Sequence, residues 1–253
     1  MLWIHGGGNT TGAGSAYDFS KLASEHEVIV VSLNYRLGPF GWFYHPSLNE
    51  TSNLKEDKTG NFGLLDQILA LKWLKNNIKE FGGNPKNITI FGESAGGHNV
   101  FSLISSQLAK GLFHRAISQS GSTRTTSIEN ASNYIDDEKN PGWPTSSREI
   151  VNNLLVKNKQ AKDIYEAKIL QDSMNNLNLK NFLQNLSPSE IFDTYEEEMV
   201  AGMFNVPRII ADGYVLPKEG MEFKKGKFNK VPTMLGTNSC LLYTSDAADD
   251  RGC

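Results

Sequence analysis

The stretch Gly92-Glu93-Ser94-Ala95-Gly96 sets a serine between two glycines in the spacing G-x-S-x-G. The β-branched run "NITIF" (87–91) precedes it and the helix-forming "AGGHNVFSLISSQLA" (95–109) follows. In that context the pattern predicts a strand that turns sharply into a helix with Ser94 at the corner. The chemistry is nucleophilic attack by a hydroxyl, which needs a base to take its proton. Gly92 and Gly96 have a steric reason, because a Cβ two residues either side of the serine would crowd the turn. Strain in the turn lifts the hydroxyl clear of the sheet edge, and the Ala95 N–H at the helix start faces the same space. Helix N-termini favour negative charge, so an oxyanion forming there is stabilised. A coincidental pentapeptide is the competing reading, and the flanking strand and helix weigh against it.

"HGGGNTTGAGS" (5–15) is the second chemical element. Consecutive glycines after a strand let backbone amides approach a ligand without side chains in the way. Such a loop supplies oxyanion donors beside a nucleophile elbow, and losing one donor costs about 3–4 kcal/mol of transition-state stabilisation. A mobile glycine-rich loop is the bland alternative. A phosphate-binding loop fits less well, since no Lys-Ser/Thr pair follows the glycines.

The elements that would position these groups alternate along the chain. "EVIVVSLNY" (27–35) is a continuous apolar run of the kind found in buried parallel strands. "NFGLLDQILALKWLKNNIKEF" (61–81) carries Leu64, Ile68, Leu71, Leu74 and Ile78 at helical spacing and closes on Gly82-Gly83. "HRAISQSG" (114–121) and "VPTMLGTN" (231–238) read as further strands, the latter in the core. Strands alternating with helices predict a mostly parallel sheet flanked by helices. Residues 122–147 are polar and without period, and 148–199 read as short amphipathic helices, one with Ser187 as a cap ahead of Glu190. Together, about 122–205 form a helical excursion from the sheet. "VPRIIADGYVLP" is extended, with a turn at Asp212-Gly213.

Composition bounds the function. The 253 residues are 39% hydrophobic and 21% charged with a formal net charge of −3, giving no electrostatic reason to expect nucleic acid or an anionic membrane. No apolar run approaches the roughly 20 residues of a membrane span. Both cysteines, Cys240 and Cys253, lie at the C-terminal end, so no disulfide framework braces residues 1–239.

"WIHGGG", "SLNYRLGPFGW", "GNFGLLDQILALKWLKNNIKEFGGNPKNITIFGESAGG", "LFHRAISQSG" and "ADGYVLP" resemble the type-B carboxylesterases, the family that includes the cholinesterases. They cover nearly all of residues 1–125 in order and return at 206–238. The resemblance implies an α/β-hydrolase fold and a Ser-His-Glu triad acting on a small-molecule ester without metal or organic cofactor. It makes Ser94 the nucleophile and the N–H groups of Gly7, Gly8 and Ala95 the oxyanion donors. Glu93 resembles a family glutamate close to the site; a carboxylate stabilised by the helix dipole is the equal alternative. Arg36 and Asp66 match a structural ion pair, expected to be buried.

The resemblance also implies an acid soon after Gly236-Thr237-Asn238 and a histidine well beyond it. This chain instead continues Ser239 and "CLLYTSDAADDRGC" (240–253), which resembles an in-frame translation of a sequencing-library adapter and no part of the family. The expectation is therefore a partial domain over 1–239, an adapter-like tail over 240–253, and neither triad acid nor base present. Asp246, Asp249 and Asp250 are not triad acids. His5 belongs to the glycine loop, His26 and His45 sit in polar connections, and His114 begins a strand. His98, one turn along the nucleophile helix, is the only rival base and is expected beside or below the elbow. Three classes compete: an ester hydrolase, a non-catalytic adhesion relative that would lack the nucleophile, and an amidase, lactonase or lipase on the same scaffold.

Overall fold

Trp3 is flanked by Leu2 and Ile4, and all three are buried, as expected for a strand covered on both sides. This strand, β1 (Leu2–Ile4), pairs in parallel with β2 (Val31–Ser32) and with β3 (Thr89–Glu93). β4 (Arg115–Gln119) and β5 (Thr233–Gly236) extend the sheet, giving the all-parallel order β2-β1-β3-β4-β5. The structure is a computed structural model describing residues 1–49, 51–195, 203 and 205–238. Ser239 and the whole 240–253 tail, including Asp246, Asp249 and Asp250, lie outside the described residues.

α1 (Ser20–His26) ends on His26, so that residue lies on a helix rather than in a loop. α2 (Phe62–Asn77) continues as a 3₁₀ turn over Ile78–Phe81. Its stripe of Leu64, Ile68, Leu71, Leu74 and Ile78 is buried in the sheet core, which confirms the helical period. Gly82 ends it in the left-handed region at φ 80°, and the Gly83 N–H donates back to Ile78 O at 2.9 Å. α3 (Ala95–Ser105) leaves the elbow and packs on β3, β4 and β1. Among the described residues no helix is long and apolar enough to cross a membrane.

The excursion builds a second core. α4 (Ser147–Lys157), α5 (Ile164–Ser173) and α6 (Asn176–Asn185) bury Ile150, Leu154, Leu155, Leu179 and Leu183 together. Ser146, Asp163 and Asn175 each accept a backbone N–H in the first turn, the usual N-cap. Ser187 and Glu190 form a reciprocal capping box on Pro188–Phe192. The excursion is tied at its base by a bridge between Thr126 and Ile210, with Thr126 N–H donating to Ile209 O and Ala211 N–H to Thr126 O.

Four expectations change. The long apolar run at 27–35 supplies only the two paired residues of β2, Val31 half-buried and Ser32 exposed, and among the described residues β2 has a strand neighbour on one side alone. Among the described residues β5 pairs with β4 alone, and Met234 and Leu235 are about two-thirds exposed where core positions were expected. His45 is buried, with Nδ1 2.7 Å from Ser47 Oγ and Nε2 3.2 Å from Gln171 Oε1 on α5. Burial pushes its pKa down to about 4, so it is a neutral hydrogen-bonding spacer between the two cores.

Arg36 and Asp66 do pair, but at the surface rather than in the interior. Nε and Nη2 donate to the two carboxylate oxygens at 2.8 and 2.7 Å, while the Arg36 side chain stays 50% exposed. Asp66 Oδ2 also accepts the Arg36 backbone N–H at 2.9 Å. Asp66→Ala is therefore expected to cost more than Arg36→Ala, about 2 against about 1 kcal/mol in urea titrations, because only the former strips a backbone donor of its acceptor. Equal losses would assign the stabilisation to the ion pair alone.

Candidate active site

Ser94 joins β3 to α3 with φ 55° and ψ −120°, a conformation that non-glycine residues seldom adopt. Its N–H donates to Gln119 O and its carbonyl accepts from His98 N–H, each at 2.9 Å, which hold the corner from both sides. The flanking glycines are required by close backbone approach. A Cβ on Gly92 would sit 2.6 Å from the Gly96 carbonyl and 2.7 Å from Ile4 O. A Cβ on Gly96 would overlap Ile4 O outright and lie 2.9 Å from His5 O. The elbow thus presses β1 and its loop against the start of α3.

That loop is the glycine run. Gly7 and Gly8 have φ of 93° and 61°, and Gly7 O accepts the N–H groups of Thr10 and Thr11 at 3.0 Å. Three contacts fix it to the body. Asn99 on α3 and Asn9 exchange side-chain hydrogen bonds at 2.9 and 3.3 Å, and both side chains are buried. Tyr35 OH donates to His5 O at 2.6 Å, and its ring stacks on the His5 imidazole at 4.4 Å. A Cβ on Gly6 would lie 3.3 Å from Ser94 Cβ, which places the loop directly over the elbow. Among the described residues, the backbone N–H groups of Gly7, Gly8 and Ala95 have no protein acceptor.

Ser94, Ala95, Gly8 and His98 open onto one cavity of about 610 Å³, within the range of small-molecule sites. Trp143 and Arg208, both reached through the excursion, form part of its wall. His98 is half-buried and lines the same cavity as Ser94, beside the elbow. Its Nε2 donates to Arg124 O at 2.6 Å. Burial lowers the His98 pKa and the Arg208 charge adds to this. Among the described residues no histidine ring is hydrogen-bonded to Ser94 Oγ. Glu93 Oε2 would lie 3.4 Å from a Cβ on Gly6, and burial pushes its carboxyl pKa up.

A model of the carboxylesterase family matches residues 1–240. The chain belongs to the carboxylesterase family. It is 54% identical over 133 residues to a para-nitrobenzyl esterase of Bacillus subtilis (strain 168), covering 52% of this chain and 26% of that one. It is 38% identical over 249 residues to carboxylesterase 1D of Rattus norvegicus, covering 94% of this chain and 38% of the relative. A solved structure of a PNB esterase superposes with a TM-score of 0.71 at 34% identity, over 98% of this chain and 47% of that one. The parallel sheet flanked by helices is therefore the α/β-hydrolase fold, and the chain spans less than half the length of these relatives.

Within this carboxylesterase fold the structure brings Gly7, Gly8, Gly92, Glu93, Ser94, Ala95 and Gly96 to one corner, and leaves Arg36 and Asp66 apart from the cavity. The reading of residues one by one missed Asn9, Asn99, Tyr35 and Arg208. The adjacency of Asn9 to the glycine run and of Asn99 to the elbow was a usable signal for the first two. Nothing local marks Arg208, whose Nη1 donates at 2.6 Å to Gly8 O across 200 positions of sequence.

Proposed function

We propose that the gene product carrying this chain is a serine carboxylesterase that cleaves small esters through an acyl-enzyme on Ser94. The observation carrying this reading is the glycine loop seated over a strained Ser94, with the backbone N–H groups of Gly7, Gly8 and Ala95 unused among the described residues. Ser94 Oγ attacks the ester carbonyl while a base takes its proton. The tetrahedral oxyanion is held by the N–H groups of Gly7, Gly8 and Ala95, reinforced by the positive end of α3. Loss of the alcohol leaves the acyl-enzyme, which water hydrolyses with the same base. The Ser94 N–H is committed to Gln119 O, which supports drawing the third donor from Ala95.

The base and acid are proposed to come from residues following Asn238. The Asn238 N–H donates to Ser120 Oγ at 3.1 Å, and Ser120 lines the same cavity as Ser94, so the chain leaves β5 at the rim of the site. A carboxylate entering at that rim would be within reach of the cavity, whereas His98 already spends Nε2 on Arg124 O. Retention of Ser94 and of the glycine loop favours this reading over a non-catalytic adhesion role.

The complete gene product is expected to hydrolyse short p-nitrophenyl esters in the presence of a chelator. An organophosphate should inactivate it with one equivalent bound, located on the Ser94 peptide by mass spectrometry. Label on another residue, or turnover untouched by the organophosphate, would overturn the assignment. Residues 1–253 expressed alone are expected to give no comparable turnover, for want of a base. Robust activity there would make His98 the base.

A further inference from the structure

The cavity beside Ser94 carries a cationic wall, and among the described residues no acid lines it. Arg124 and Arg208 are among its lining residues, and no Asp or Glu is. Arg208 is half-buried, and among the described residues no carboxylate lies within ion-pair distance of its guanidinium. Among the described residues only one of its donors is used, Nη1 to Gly8 O at 2.6 Å. Burial lowers its pKa from the usual arginine value with no neighbouring charge offsetting it. An arginine stays protonated in such surroundings, so its positive charge borders the cavity with no carboxylate paired to it among the described residues.

The fold holds that side chain firmly. Thr126 Oγ1 donates to Arg208 O at 2.9 Å, and Asn61 Nδ2 donates to Ile210 O at 2.7 Å while accepting from Ile210 N–H at 2.8 Å. Between these anchors Ile209 is fully buried at φ 54°, a left-handed conformation costly for a β-branched residue. Such strain persists only where the surroundings over-determine it.

We infer that Arg208 is a specificity-determining residue that binds the free carboxylate of a half-ester, an ester of a dicarboxylic acid with one acid group unesterified. This rests on Ser94 being the nucleophile. The planar guanidinium matches a carboxylate in two parallel hydrogen bonds, and a cavity poor in acids does not repel one. Ser94 Oγ displaces the alcohol to form an acyl-enzyme, and water then frees the second carboxylate and a proton, giving a dicarboxylate. The link to Gly8 O also joins the recognition group to the loop that borders the reacting carbonyl.

The test compares monoethyl esters of succinate, glutarate and adipate with the matching ethyl esters whose free acid is a primary amide. The complete gene product is expected to prefer at least one half-ester over its amide in kcat/KM, and the preference should shrink as ionic strength rises. Arg208→Gln should cut that preference by about tenfold or more, the range of a hydrogen bond to a charged group, and Arg208→Lys should retain part of it. Equal loss on acid and amide substrates would confine Arg208 to bracing the Gly8 loop and overturn the inference. Binding of the same pairs to Ser94→Ala protein by calorimetry gives a readout without turnover. Preference for the half-ester there, lost with Arg208→Gln, supports the site even if Ser94 is not the nucleophile; no preference there rejects it.

Discussion

Ser94→Ala is expected to lower kcat of the complete gene product by on the order of 10⁶-fold, the scale seen when a serine nucleophile is removed from a working triad. The oxyanion donors would remain, so a residual acceleration of ~10³–10⁴ over water should survive. Stability should hardly change, because Ser94 Oγ makes no hydrogen bond among the described residues and the corner is held by backbone bonds to Gln119 and His98. Thermal unfolding run alongside the kinetics separates lost chemistry from lost folding. His98→Gln is the necessary comparison. Its ring is engaged with Arg124 O, so its removal should disturb the cavity wall and cost far less than Ser94→Ala. A loss of the same size would make His98 the proton acceptor and remove the need for a later histidine.

Gly96→Ala is expected to damage folding and activity together. The new methyl would overlap Ile4 O and crowd the Ile4 and His5 carbonyl groups, all backbone atoms of β1 and its exit, which no side-chain rotation can relieve. Either β1 shifts from β3 or α3 tilts away from the elbow, and overpacking of this kind costs about 3 kcal/mol. In a chain of this size that corresponds to a fall in Tm of roughly 6–12 °C. The displacement also carries the glycine loop away from Ser94, so activity of the folded fraction should fall too. Gly236→Ala is the control, since a Cβ there meets nothing within 4 Å. If Gly96→Ala left Tm unchanged, the glycine would not be a packing requirement and the elbow would tolerate more room than its geometry implies.

How much of this was legible in the chain depends on how far apart the interacting atoms lie in sequence. The elbow is local: strand, glycine, serine and helix are contiguous, and the steric demand at Gly92 and Gly96 follows from their spacing to Ser94. The glycine loop, the α2 stripe and its Gly82 stop are local for the same reason. Even the Arg36–Asp66 partnership came through, carried by a resemblance between motifs, although its exposure did not. Burial was harder to read. The runs at 27–35 and 231–238 look like core strands because they are apolar, yet among the described residues pairing order puts β2 and β5 at the two ends of the sheet. His45 looks like a loop residue until α5 brings Gln171 against it across 126 positions.

The sequence by itself determined the chemistry offered at the corner, a strained serine, a glycine loop and a helix start, because these depend on neighbours along the chain. Only the tertiary structure decided what surrounds that corner. Asn9 meets Asn99 at a separation of 90 residues, and Arg208 meets Gly8 at 200. The physical reason is that hydrogen bonds and charge contacts act over a few ångströms, so distant residues acquire a shared role only once the sheet and its excursion bring them together.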